Sequence, residues 1–218
     1  MSANIITLLR ILLSIVVLLM FRIDFYWGAA ALVLTAIVFY MDALDGYIAR
    51  KLGVASDFGA LFDITGDRIV EHVYWIFFTA VGMVSMWVPI IFISRSFLVD
   101  TVRSVAFSKE GKTPFGEKSM MRSEFTTFLT ASRFMRGSYG FVKVLVFLML
   151  GAIITLESGI SSGIISLSED FMRKFIVSTE IIVWLTVFMN IIRGLPVLWD
   201  GRYYLFAKEF PKDIKDAG

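Results

Sequence analysis

The chain has no cysteine among its 218 residues, so neither a disulfide framework nor thiolate chemistry is open to it. Its single histidine, His72, excludes a zinc site built from several imidazoles. Charged residues are scarce at 18% and the net charge is only +2, so the chain as a whole is no binder of nucleic acid or other polyanions. Internal repeats and low-complexity stretches are also absent. What it has in abundance is apolar side chain. At 57% hydrophobic residues and a mean hydropathy of +0.77, the composition is that of a membrane protein. The length suits one all-α membrane domain, residues 1–218, with about six spans.

The apolar runs place those spans. Ile5–Phe21 is the first, interrupted by Arg10. No small-residue cleavage site follows it, so it reads as a retained span. Phe25, Tyr26 and Trp27 form an interfacial aromatic group. Gly28–Arg50, Gly59–Gly82, Trp87–Phe107, Tyr139–Leu156 and Phe171–Leu195 follow as spans two to six. The mixed-charge segment 108–138 reads as a cytosolic loop or surface helix. The tail 196–218 alternates charge with Trp199, Tyr203, Tyr204, Phe206 and Phe210, as a segment lying along an interface would. Basic residues concentrate at Arg50, Lys51, the 108–138 segment and the tail. The positive-inside rule therefore puts both termini in the cytosol and the protein in the cell membrane.

Five acids crowd into the 26 residues from Asp42 to Asp67. On a helix, Asp42, Asp45, Gly46, Ala49 and Arg50 share an arc of roughly 140°. Gly59, Asp63 and Asp67 repeat at i, i+4, i+8 and share one face. The polar stretch 51–58 reads as the loop between two antiparallel helices. At ~1.5 Å per residue from that loop, Asp42 and Asp45 stand about 13 and 9 Å along the first helix. Asp63 and Asp67 stand about 7 and 13 Å along the second, so the two carboxylate pairs can converge. Four converging carboxylates need protons or cations, and an all-oxygen set suits Mg²⁺, Mn²⁺ or Ca²⁺. Arg50 adds a fork suited to phosphate. Gly46, Ala49 and Gly59 leave room for a flat ligand or a second backbone. Asp57 falls in the loop and reads as solvated.

Without its filler the stretch is D-x2-D-G-x2-A-R-x8-G-x3-D-x3-D, and each specified position is filled. It resembles the signature of the CDP-alcohol phosphotransferase family. The resemblance implies six membrane helices, usually in a homodimer, around a cytosol-facing polar active-site cavity. It also implies metal-dependent phosphatidyl transfer in phospholipid biosynthesis, from CDP-diacylglycerol or an archaeal CDP-lipid to an alcohol, with release of CMP. By that resemblance Asp42, Asp45, Asp63 and Asp67 hold two Mg²⁺ or Mn²⁺ ions. Gly46, Ala49, Arg50 and Gly59 bind the CDP-lipid, and Asp67 doubles as general base. Asn4, Thr7 and Arg10 resemble the family's Asn-x2-Thr-x2-Arg start, and equally suit capping and interface anchoring.

Three further expectations concern charges away from the signature. Glu71 and Arg95 lie at equal depth, about 18 Å from the cytosolic ends of their spans, and suggest a buried ion pair. His72 reads as a hydrogen-bonded core histidine. Arg103, Arg133, Arg136 and Lys143 form a basic group suited to lipid headgroups or to the phosphate of an acceptor. The run from Arg95 to Arg103 resembles the fourth helix of the phosphatidylglycerolphosphate synthase branch. Gly140-Phe-Val-Lys143 resembles the start of that branch's fifth, without its first Lys and its Thr. Glycerol 3-phosphate is therefore the preferred acceptor, with inositol phosphate as the alternative. Intramembrane prenyltransferases also use two aspartate motifs but have more spans and lack the Asp-Gly-x2-Ala-Arg core. A divalent-cation transporter would use the same carboxylates as a cation path and release no CMP.

Overall fold

A computed structural model describes residues 2–52, 57–111 and 119–206. Within the helices, the side chains of residues 2–4, 42–52, 57, 58, 60, 61 and 206 also lie outside the description. Among the described residues the fold is all-helical. The helices are α1 (Ser2–Met20), α2 (Phe25–Leu52), α3 (Asp57–Ala80), α4 (Trp87–Glu110), α5 (Glu124–Ala131), α6 (Arg133–Ser161) and α7 (Glu169–Phe206). The six expected spans map onto six of these, and the short α5 lies inside the 108–138 segment. Residues 53–56 of the expected loop lie outside the described residues.

Helix ends follow local chemistry. The Asp24 carboxylate accepts the Trp27 amide at 3.0 Å, so α2 starts at Phe25 and the expected interfacial aromatics form its first turn. α4 runs to Glu110 and stops at Gly111, whose φ of 63° is open to glycine without strain. Ser123 caps α5 by accepting the Thr126 amide, and the Thr126 hydroxyl accepts the Ser123 amide in return.

The distribution of polarity is inverted relative to a water-soluble bundle. On α1, Ile5, Leu8, Leu12, Val16 and Leu19 are 50–60% exposed, while Thr7, Arg10 and Ser14 are buried. In water the apolar stripe would turn inward. Two stretches among the described residues, Glu124–Ser161 and Glu169–Leu205, are long and apolar enough to cross a membrane. α3 carries Asp63, Asp67, Arg68 and Glu71 instead of an unbroken apolar run.

The chain divides into two compact units: Met1–Phe92 with Gly140–Val187, and Ile93–Tyr139 with Phe188–Gly218. In the first, α1 packs against α2 and α3. Its core is aromatic. Tyr74, Trp75 and Phe78 of α3 surround Phe147 of α6 at centroid distances of 5.0, 4.7 and 6.2 Å. The Tyr74 hydroxyl donates to Thr35 at 3.2 Å, so burying it leaves no donor stranded.

In the second unit Val99, Val102 and Ala106 of α4 meet Met120, Met121, Val197 and Tyr204. The segment from Pro196, expected as a tail, continues α7 to Phe206. Proline removes one backbone donor, yet buried packing carries the helix past it. Val197, Asp200, Gly201 and Tyr204 are all buried and spaced i, i+3, i+4, i+7. Gly201 lies directly against Val102, where a Cβ would collide. The Asp200 carboxylate accepts the Arg122 amide at 3.0 Å, and Lys109 donates to the Tyr204 carbonyl at 2.9 Å. Residues 207–218 of the expected tail lie outside the described residues.

Candidate active site

The site starts from one stripe of α3. Gly59, Asp63, Asp67 and Glu71 recur every fourth residue, so their Cα–Cβ directions stack along one face. Asp63 and Asp67 are 38% and 42% exposed. Arg10 of α1 is only 2% exposed and is aimed at both. Its Nη2 donates to Asp67 Oδ1 at 2.5 Å and stands 3.7 Å from Asp63 Oδ1. A buried guanidinium therefore bridges two carboxylates whose outer sides stay open. Arg10, read equally as a capping and interface-anchoring residue or as part of the family's start, thus stands against two signature aspartates.

Gly66 makes that approach possible. A Cβ at this position would collide with Thr7 Cγ2 and lie 3.5 Å from Arg10 Nη2. Without a side chain there, α1 reaches α3 closely enough for Arg10 to span both aspartates. Gly66 is not a signature position, and a glycine inside a helical run was the one sequence hint of close packing.

One turn beyond Asp67, the buried Glu71 meets two more cations. Lys143 of α6 donates to its Oε2 at 3.2 Å, and Arg68 lies 3.6 Å from the same oxygen. Acids on successive turns would repel, but each is answered by a cation from a different helix. Lys143, expected at an acceptor phosphate, thus stands against Glu71. Arg95, expected to pair with Glu71, belongs to the second unit, where its Cγ and Nε pack over Gly194. His72 is half-buried and hydrogen-bonded to the Phe92 backbone, as its core reading requires.

The remaining expected residues fall as follows. Asp42, Asp45, Gly46, Ala49 and Arg50 lie on α2, and their side chains are outside the described residues, as are those of Asn4 and Asp57. Arg103 lies 3.4 Å from Asp100, one turn earlier on α4. Arg133 and Arg136 are exposed on the first turn of α6.

Among the described residues no three acidic or histidine side chains gather, since half of the aspartate set is on the undescribed part of α2. The donors present fit a divalent ion by chemistry. Asp63 and Asp67 offer hard carboxylate oxygens one turn apart on one face, with no thiolate in the chain.

Comparison with known proteins points to one family. A protein of Rickettsia typhi named CDP-diacylglycerol–glycerol-3-phosphate 3-phosphatidyltransferase is 26% identical over 195 residues, covering 88% of this chain and 91% of the relative. A Bacillus subtilis protein of that name is 30% identical over 115 residues, covering 47% of this chain and 60% of the relative. An Arabidopsis thaliana relative with that name and the suffix 2 is 33% identical over 123 residues, 50% of this chain and 52% of its own. The model of the CDP-alcohol phosphatidyltransferase family matches residues 1–192, which span the signature, the Arg10 bridge and the Glu71–Lys143 pair. The chain belongs to the CDP-alcohol phosphatidyltransferase family.

Proposed function

We propose that this enzyme transfers a phosphatidyl group from CDP-diacylglycerol, or a CDP-lipid of the same headgroup, to glycerol 3-phosphate. The observation that carries the reading is the complete signature, with Asp63 and Asp67 together on one face of α3 around Arg10. The names of the relatives support the acceptor.

Asp42, Asp45, Asp63 and Asp67 would hold two Mg²⁺ or Mn²⁺ ions, which when bound neutralise the diphosphate and its leaving group. The chain's own residues do the rest. Arg50 orients the diphosphate through its fork, and Gly46, Ala49 and Gly59 line the nucleotide side without bulk. Arg10 fixes the Asp67 carboxylate by holding one of its oxygens. Asp67 takes the proton of the acceptor hydroxyl as that oxygen bonds to the lipid-side phosphorus. The phosphoanhydride bond breaks, and CMP leaves with its electron pair. With little covalent work asked of the protein, positioning dominates. Arg103, Arg133, Arg136 and Lys143 remain the candidates for the acceptor phosphate. Lys143 would do so while paired to Glu71.

The exposed apolar stripe of α1 and the two long apolar stretches support insertion in the cell membrane. The positive-inside rule favours cytosolic termini, and the family resemblance favours a homodimer. The test is CMP release by purified enzyme in Mg²⁺, offered glycerol 3-phosphate, inositol phosphate, serine and inositol separately. Turnover with glycerol 3-phosphate is the expected result. Turnover only with another acceptor overturns the acceptor, and cation flux without CMP release overturns the reaction.

A further inference from the structure

The second unit contains a groove of 670 Å³ between α5 and the last turns of α7. Its walls are Phe125 and Leu129 of α5 and Ile192, Leu195, Pro196 and Trp199 of α7. None of these is a signature residue. Phe125, Leu195 and Trp199 are 70%, 57% and 65% exposed, so the groove is an open apolar trough. Its size falls within the range of about 300–1,000 Å³ typical of ligand sites.

Arg202 lines the groove, and Arg122 stands beside it across the Tyr203 ring. The Arg202 guanidinium lies 3.8 Å from the Trp199 ring centroid and 4.8 Å from that of Tyr203. The Arg122 guanidinium lies 3.5 Å from the same Tyr203 centroid. Neither has a carboxylate partner among the described residues. Asp200, the acid beside them, accepts the backbone amide of Arg122 and not its guanidinium. Arg202 Nη1 is buried and makes no hydrogen bond, while Nη2 donates to the Tyr203 hydroxyl at 3.1 Å. The rings hold both guanidinium groups in place; Arg122 is exposed, and Arg202 keeps a donor without a hydrogen bond, which suits a phosphate. Two like charges on one ring repel, and an anion shared by both relieves that repulsion.

We propose that this groove binds an anionic phospholipid of the bilayer, one acyl chain lying along the trough and the headgroup phosphate on Arg122 and Arg202. Apolar trough and phosphate-seeking rim match the two halves of one such molecule. Trp199, Tyr203 and two arginines together are the composition of a membrane interface. The contacts the proposed occupant needs come from α5, its flank and the end of α7, none of them a signature position.

The test uses the full chain in phosphatidylcholine bilayers, titrated with phosphatidylglycerol or phosphatidylcholine bearing brominated acyl chains. The Trp199 signal is the fluorescence difference between the unaltered protein and Trp199→Phe. Basic residues near an anionic lipid contribute about fivefold each, so half-quenching should need about 25-fold less phosphatidylglycerol than phosphatidylcholine. Arg122→Gln with Arg202→Gln should abolish that preference while quenching by phosphatidylcholine persists, which also reports that the groove is still formed. Lysine at both positions should keep most of the preference. Equal quenching by the two lipids in the unaltered protein overturns the proposal, as does a preference that survives the double glutamine change. Absence of quenching by either lipid also overturns it, and means that protein covers the trough.

Discussion

One stripe of α3 contains two kinds of chemistry. From Gly59 through Asp63 and Asp67 to Glu71 it is acidic, and from Tyr74 to Phe78 it is aromatic. Tyr74 follows Glu71 by three residues and Phe78 follows by four more, so neighbouring positions of one helix change from acid to ring. The acidic half is held by named partners, Arg10 from α1 and Lys143 from α6, at 2.5 and 3.2 Å. The aromatic half is held by shape, with rings of α3 packed around Phe147. Identity therefore matters at one end and volume at the other. A carboxylate in a poorly solvated setting needs a specific cation, whereas dispersion contacts accept any group that fills the space.

The sharpest break of that comparison is at Asp67. Asp67→Asn keeps the volume and removes the charge, the metal ligand and the base together. Transfer should fall by more than the ~10²–10⁴ of general-base loss alone. CMP release checks this, and near-normal turnover would overturn the role of Asp67. EDTA should likewise abolish CMP release, with recovery on adding Mg²⁺ or Mn²⁺, since the donors are hard oxygens. Activity that persists through chelation would sink the metal reading.

Glu71 tests whether the acidic half depends on pairing. Glu71→Gln strands the Lys143 charge and should cost ~3–5 kcal/mol in a detergent melt. Glu71→Gln with Lys143→Met removes both charges and should cost less than the sum of the single changes. Additive losses would mean that the 3.2 Å contact does not couple them. Gly66→Ala forces a Cβ against Thr7 and should destabilise by ~1–3 kcal/mol. Thr7→Ser, which deletes the opposing methyl, should restore most of that loss.

The aromatic half supplies the smallest effect. Phe78→Leu keeps an apolar side chain, loses part of the ring volume, and should cost ~1–2 kcal/mol. The transfer rate of the folded enzyme and its KM for both substrates should not change. A large activity loss from Phe78→Leu would erase the contrast between the two halves.

Local periodicity alone determined a good part of this protein. Asp63 and Asp67 share a face because four residues make about one helical turn, whatever packs nearby. The apolar runs were legible for the same reason, while the 108–138 segment left loop and surface helix both open, and its capped α5 emerged only in the fold. What α1 and α6 bring to α3 was not legible. Arg10 lies 57 residues from Asp67, and Lys143 lies 72 from Glu71. Only packed helices decide which cation meets which acid. That is why Arg10 could be read two ways, and why the Glu71 partner of Lys143 was not foreseen. Pro196 misled through a local rule, because a proline and scattered charges mark an ending when no partner is considered. The buried row Val197, Asp200, Gly201 and Tyr204 carries α7 onward, and its worth exists only against Val102 and the Arg122 amide. Spacing is a property of one helix and can be counted in the chain. Partnership is a property of two, and tertiary structure decided it.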